Sequence, residues 1–156
     1  MKKDDTKFMR EALKLAMAAF DEDEVPVGAV VVYNGKIIAK GRNQVEKLSD
    51  PTAHAEMIAI TSAASYIKSK WLSKCTMYVT VEPCSMCAGA LVLSRIGKVV
   101  FGAQDPKTGA FGSKLNISNF SLNHKVKVTK GVLEKECSQI LSSFFRNKRV
   151  QKKLAE

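Results

Sequence analysis

Two short stretches hold the side chains best able to do chemistry: Pro51-Thr52-Ala53-His54-Ala55-Glu56 and Pro83-Cys84-Ser85-Met86-Cys87. One imidazole and two thiolates supply three corners of a zinc tetrahedron. A structural zinc usually closes on four protein ligands, whereas a catalytic zinc keeps one corner open. Glu56 stands two residues from His54, close enough to move protons and not needed as a ligand. An open zinc corner beside a carboxylate is equipment for hydrolysis, because the metal lowers the pKa of water toward neutrality and the carboxylate relays the proton. Alone, Cys-x-x-Cys could be a redox pair and a single histidine could be structural. Together, each opening a helix, they favour catalytic zinc. His124 and Cys75 lack the local spacing of a ligand pair and are poor choices for a fourth ligand.

Each stretch needs an element to aim it. Phe8, Ala12, Leu15, Ala16 and Ala19 recur at helical spacing over residues 5–20, which predicts an amphipathic helix covering a sheet. Residues 27–33 are apolar and rich in valine, as expected of a strand buried on both faces. Asn34-Gly35 is a hairpin turn into a second strand over 36–40, which Gly41-Arg42-Asn43 ends before a polar loop to Pro51. A helix from about His54 to Ile67 follows, then strands over 76–81, 98–101 and 126–129. Between the third and fourth strands, Cys84, Cys87, Ala88, Leu91 and Arg95 share one side of a helix with Pro83 in its first turn. Residues 102–125 read as a functional loop with a short helix inside it. Leu133, Cys137, Ile140, Leu141 and Phe144 mark the inner face of a C-terminal helix. The alternation predicts a single α/β domain over 1–156, a three-layer α/β/α sandwich around a mixed five-stranded sheet.

These placements constrain the metal site. Cys84 and Cys87 are i, i+3 and project the same way from a first helical turn, where unpaired N–H groups and the helix dipole favour thiolates. His54 begins the preceding helix, so two helix N-termini should meet at the metal. His54 and Glu56 pose a difficulty, because residues i and i+2 on a regular helix point apart. They converge only if the motif straddles the helix start, which Pro51 and Thr52 make feasible.

The 156 residues, 46% hydrophobic and 26% charged, are ordinary for a globular chain with a real core. No apolar run has the length of a membrane span, and Asp4, Asp5 and Glu11 spoil any signal-peptide reading of the N-terminus. A cytoplasmic location is expected, where Cys75 and Cys137 would be buried free thiols. The net charge of +10, with Arg146, Lys148, Arg149, Lys152 and Lys153 crowding the C-terminal end, suggests a polyanionic partner. No role follows from the sequence for the acidic run Asp21–Glu24.

The arrangement His-x-Glu with Pro-Cys-x-x-Cys is the signature of zinc nucleobase deaminases. Almost the whole chain resembles the bacterial tRNA-specific adenosine deaminases. The resemblance runs through residues 25–30, Gly41-Arg42-Asn43, residues 51–56 and 79–90, and continues through 99–103, 105–110, Asn123-His124, Gly131-Val132-Leu133 and Phe144-Phe145-Arg146. Val81 stands where leucine is commoner, and residues 113–119 are less typical. The resemblance implies a cytidine deaminase-like fold and one zinc per subunit on His54, Cys84 and Cys87. It also implies Glu56 as proton carrier and a homodimer whose two subunits both contact the anticodon stem-loop of a tRNA. The reaction implied is adenosine to inosine at the wobble position, with an arginine tRNA expected and no DNA substrate. By position, Asn43 would hydrogen-bond the flipped adenine and Asp105 would contact the neighbouring nucleotide at a 2′-hydroxyl. Phe144 fits the apolar stripe, leaving Phe145 for RNA contact among Arg146 and Arg149. Two other readings stay open. A guanine, cytosine or nucleoside deaminase would use the same zinc half without a basic C-terminal helix, and a non-catalytic RNA-binding module would need neither Glu56 nor an open corner.

Overall fold

The structure is a computed structural model that describes residues 2–156. A helix α1 (Lys2–Asp21) leads into a hairpin of β1 (Gly28–Tyr33) and β2 (Lys36–Arg42), turned at Asn34 and Gly35 in left-handed backbone. After a short α2 (Val45–Leu48) come α3 (Ala55–Ile67), β3 (Thr76–Val81), α4 (Ser85–Leu93), β4 (Lys98–Ala103), β5 (Lys127–Lys130) and α5 (Glu134–Ala155). The five strands form one sheet in the order β2-β1-β3-β4-β5. Its β2–β1–β3 half is antiparallel and its β3–β4–β5 half parallel, so the sheet is mixed as expected.

Burial follows from the alternation of side chains across the strands. Val30, Val32, Tyr78 and Val100 face Phe8, Met9 and Ala12 of α1 and Cys137 of α5. Ala29, Val31, Met77, Val79, Val99 and Phe101 face Ala55, Ala59 and Ala63 of α3 and Ala88 and Leu91 of α4. Two helical layers therefore sandwich the sheet. Both Cys75 and Cys137 are buried free thiols.

What this positions is the end of the sheet where the parallel strands finish. β3 stops at Val81, with Glu82 between it and Pro83-Cys84, and the antiparallel β1 begins beside it, with Gly28 N–H donating to Thr80 Oγ1 (3.2 Å). Open α/β sheets place their ligand sites at the carboxyl ends of such strands. Gly41 brings β2 against the start of α3 so tightly that an added Cβ would overlap the Ala55 carbonyl.

Several local expectations are corrected. Pro83 precedes α4 instead of sitting in its first turn, because Cys84 is the N-cap in extended conformation (φ −73°, ψ 177°). Arg95 does not share α4's face: the helix ends at Leu93 and Arg95 turns out in left-handed backbone (φ 55°). The loop before Pro51 contains α2, whose N–H groups at Glu46 and Lys47 donate to the buried Glu24 carboxylate (3.0 and 2.8 Å), a long-range cap. β4 runs two residues beyond the expected 98–101, to Ala103, so the loop begins at residue 104; it contains one 3₁₀ turn, Ile117–Asn119.

Gly41→Ala should force β2 and α3 apart. Overpacking of this kind costs about 1–3 kcal/mol, and thermal unfolding should show a lowered Tm.

Candidate active site

Both halves of the metal motif lie at helix starts that meet. His54 is the N-cap of α3 in extended backbone (φ −77°, ψ 151°), and Glu56 is the second residue inside the helix. That change of backbone at residue 54 lets side chains two apart reach one spot. His54 Nδ1 lies 3.6 Å from the sulfurs of both Cys84 and Cys87. The three ligand atoms all fall within 4.8 Å of one another. A tetrahedral zinc with Zn–S of about 2.3 Å and Zn–N of about 2.05 Å requires N···S edges of about 3.6 Å. The triangle therefore fits zinc in its donor types and its N···S edges.

Its protonation chemistry fits too. The Cys84 thiol is pulled down to about 4 by hydrogen bonding from Cys87, with His54 adding to the effect. Cys87 is pushed well up by the adjacent Cys84 sulfur and by burial, and His54 is raised by its contact with Cys84. A sulfur that ionises readily beside a second thiol and an imidazole suits a cation, whose binding would displace the remaining thiol proton. Glu56 is buried, and burial lifts its carboxyl to about 7 against the opposing pull of its own backbone N–H and His54. Such a group exchanges protons readily near neutral pH.

The triangle opens onto a cleft of about 1030 Å³ lined by His54, Glu56 and Cys84 together with Asn43, Val27 and Asp105. Asn43 is buried; its Oδ1 accepts the Ala55 N–H (2.9 Å), so it caps α3 from β2 and leaves its NH₂ for the cleft. Asp105 is engaged in its own turn: Oδ1 accepts from Lys107 and Thr108 N–H (3.0 and 3.1 Å) and Oδ2 from the Thr108 hydroxyl (2.7 Å). On α5, Phe144 is buried edge-on to Phe20 while Phe145 is exposed at the cleft mouth. Arg146 and Arg149 do not line the cleft; Lys148 does, paired with Asp23 (2.7 Å). At 100° per residue, position 148 lies between 144 and 145, whereas 146 falls on the far side.

Sequence reasoning missed the residues that build the cleft walls. Glu82 is buried, with Oε2 accepting N–H from Phe111 (3.0 Å) and Ser113 (3.1 Å) and Oε1 accepting from Asp105 N–H (3.1 Å) and the Ser113 hydroxyl. Gly109 passes so close that an added Cβ would overlap this carboxylate. The loop is thereby tied to the cysteine turn, as are Ala110 N–H to Pro83 O (2.9 Å) and a bridge between Cys84 and Gly109. The acidic run supplies the opposite wall: Glu24 caps α2, Glu22 holds Arg42 and Lys47, and Asp23 holds Lys148. The one signal available was Glu82's place between an apolar strand and the cysteine pair.

A mixed sheet between helical layers, with a His-Cys-Cys triangle and a buried glutamate at two meeting helix starts, defines the class of nucleobase deaminases. Residues 3–149 match the family model of MafB19-like deaminases. The tRNA-specific adenosine deaminase of Bacillus subtilis is 49% identical over 152 residues, covering 97% of this chain and 94% of that protein. The enzyme of the same description from Haemophilus influenzae is 51% identical over 152 residues, covering 96% and 88%. A solved structure from work on A-to-I editing by tRNA:A34 deaminases superposes with a TM-score of 0.81 at 42% identity, covering 87% of this chain and 99% of that one. The chain belongs to the tRNA-specific adenosine deaminase family.

Glu82→Ala would strand several buried N–H groups at about 1–3 kcal/mol each. We expect a lower Tm and a raised KM, with the metal content per chain unchanged from the parent. Glu82→Gln should recover part of both, as read by steady-state kinetics and metal analysis.

Proposed function

We propose that this deaminase converts adenosine to inosine at the wobble position of a tRNA anticodon, with an arginine tRNA as the first substrate to test. The observation that carries the reading is the His54–Cys84–Cys87 triangle, with Glu56 beside it, opening onto a cleft that could take a flipped-out nucleotide. Zinc held by those three ligands supplies Lewis acidity that makes water a nucleophile near neutral pH.

The chain's own residues do the rest. Glu56 takes a proton from the water that attacks the ring carbon bearing the amine and passes it to the ring nitrogen. It then takes the second proton from the new hydroxyl, as that oxygen becomes the carbonyl, and delivers it to the amino group, which leaves as ammonia. The amine leaves as that carbon becomes a carbonyl. Asn43, whose Oδ1 already accepts from Ala55 N–H, has its NH₂ to offer to an acceptor nitrogen of adenine. Val27 offers an apolar wall, and Phe145 a stacking face at the mouth. Lys148 is placed to exchange Asp23 for a phosphate, with Arg149 beside Phe145 and Arg146 on the outer side as further cations. Asp105 shapes its loop beside the neighbouring nucleotide through the bonds it already makes.

Residues 1–156 act as one zinc-dependent domain on this reading, with one zinc per subunit in a homodimer, in the cytoplasm. Exposed Tyr66 on α3 and Leu93 on α4 support pairing through those helices, and four free cysteines suit a reducing compartment. Among the described residues, no helix is long and apolar enough to cross a membrane.

Incubation with an anticodon stem-loop of arginine tRNA, beside free adenosine, cytosine and guanine, tests the substrate. Inosine in the stem-loop alone is expected; turnover of a free base would replace this reading with that of a free-base deaminase, and binding without ammonia release with that of a binding module. Glu56→Gln should keep its zinc and lose about 10²–10⁴ in kcat, measured by metal content and inosine formation.

A further inference from the structure

The basic end of α5 accounts for only part of the net charge of +10. A second cationic feature lies at the end of the sheet away from the metal triangle. Lys36 opens β2 opposite Tyr33, where β1 finishes. Val32 pairs with Thr76, the first residue of β3, and Lys74 stands just before it. Lys98 opens β4 in register with Thr76, and Lys127 opens β5 in register with Lys98. Strands lie about 4.8 Å apart, so this row crosses the sheet over about 19 Å. Lys36, Lys74 and Lys127 are exposed and Lys98 half-buried.

The row carries an internal cost. Lys98 and Lys127 are direct cross-strand partners, and like charges so placed destabilise a sheet. Among the described residues the ion pairs are Lys14–Glu11, Arg42–Glu22, Lys47–Glu22 and Lys148–Asp23, none of which touches the row. Between Glu56 and Glu134 the sequence has only two carboxylates, Glu82 and Asp105, and both are bonded in the loop at the opposite end. Asp4 and Asp5 begin α1 on the other layer, where Asp5 accepts from the Tyr78 hydroxyl (2.7 Å).

An aromatic face flanks the row. Trp71 is 42% exposed, with Lys70 Nζ and the Arg95 guanidinium each 4.7 Å from its ring centroid. The turn is fixed, since Leu72 N–H donates to Ser94 O (2.7 Å). A line of cations beside an exposed indole suits a nucleic-acid strand, with phosphates on the lysines and a base on the ring.

We propose that the Lys36–Lys74–Lys98–Lys127 row, with Trp71 at its flank, is a second RNA-docking surface that grips phosphate backbone without reading sequence. It deepens the tRNA reading and takes the nature of its partner from it. β3, six residues long, separates the row from the metal end by about 20 Å. The row therefore holds RNA outside the nucleotide being deaminated.

The test uses full-length, zinc-loaded protein and measures affinity for whole tRNA as a function of salt. Two changes are made: Lys36→Glu/Lys74→Glu/Lys98→Glu/Lys127→Glu, and a milder Lys74→Gln/Lys127→Gln/Trp71→Ala in case the first fails to fold. Each lost phosphate contact should remove about 0.7–0.9 from the slope of log K against log salt. The four-lysine variant should lose about 3 in slope and at least about tenfold in affinity at 0.1 M salt. Deamination of the isolated anticodon stem-loop should stay within about twofold of the parent. Unchanged affinity and slope in the variants, with inosine still formed, would overturn the surface and leave the wobble reading intact. Loss of tRNA affinity in a protein that makes no inosine would uphold the surface and remove that reading. Vesicles of phosphatidylglycerol and phosphatidylcholine form the last arm: lysine-dependent binding to them, without lysine-dependent binding to tRNA, would replace RNA by a membrane surface and overturn the proposal.

Discussion

Two helices must start at the same point for this protein to have a site. His54 is the residue before α3 and Cys84 the residue before α4, and each is extended where the helix proper has not begun. Only there can an imidazole, two sulfurs and a carboxylate converge from sequence positions that a continuous helix would scatter. The meeting point is electrostatically suited to its contents, because both first turns present unpaired N–H groups and the positive ends of helix dipoles. Thiolate at Cys84 is favoured there, while burial raises the Glu56 carboxyl above the usual carboxylate range.

That convergence needs rigid surroundings, and buried carboxylates supply them. Glu82 gathers N–H groups from residues 105, 111 and 113, and Glu24 gathers those of residues 46 and 47. Both line the cleft, and neither belongs to the metal triangle. Each converts a flexible loop into a wall by giving its backbone donors one shared acceptor, since hydrogen bonds to a charged group are about twice as strong as neutral ones. Gly109 and Gly41 make the complementary contribution by permitting close approach where any side chain would intrude.

How much of this could be read beforehand depends on the range of the interaction. His54, Cys84, Cys87 and Glu56 were legible because metal ligation imposes residue types at short spacings. Their i, i+2 spacing requires the motif to straddle a helix start, a condition that His54 meets as the N-cap of α3. The sheet was legible because residues 27–33 are apolar and valine-rich and residues 76–81 are β-branched or aromatic apart from Met77. Glu82 and Glu24 were not legible, because their partners are backbone groups 22 to 31 residues away and backbone groups leave no mark in composition. The choice of Lys148 over Arg146 at the cleft was equally hidden. Basic residues of α5 do not differ by type; the apolar stripe through Phe144 sets the rotation, and the packing of Phe144 on Phe20 fixes that face against the cleft. Pro83 and Arg95 each lie two residues outside α4, because extended backbone at Cys84 and left-handed backbone at Arg95 shorten the helix that the apolar spacing suggests.

The account stands on a zinc held by three protein atoms with its remaining corner left to solvent or substrate. X-ray absorption at the zinc edge of the purified protein tests this most directly. Two sulfur scatterers near 2.3 Å and two lighter ones near 2.0–2.1 Å, at one zinc per chain, are the predicted result. Three or four sulfurs, a second histidine in the shell, or fully active protein devoid of zinc would contradict it.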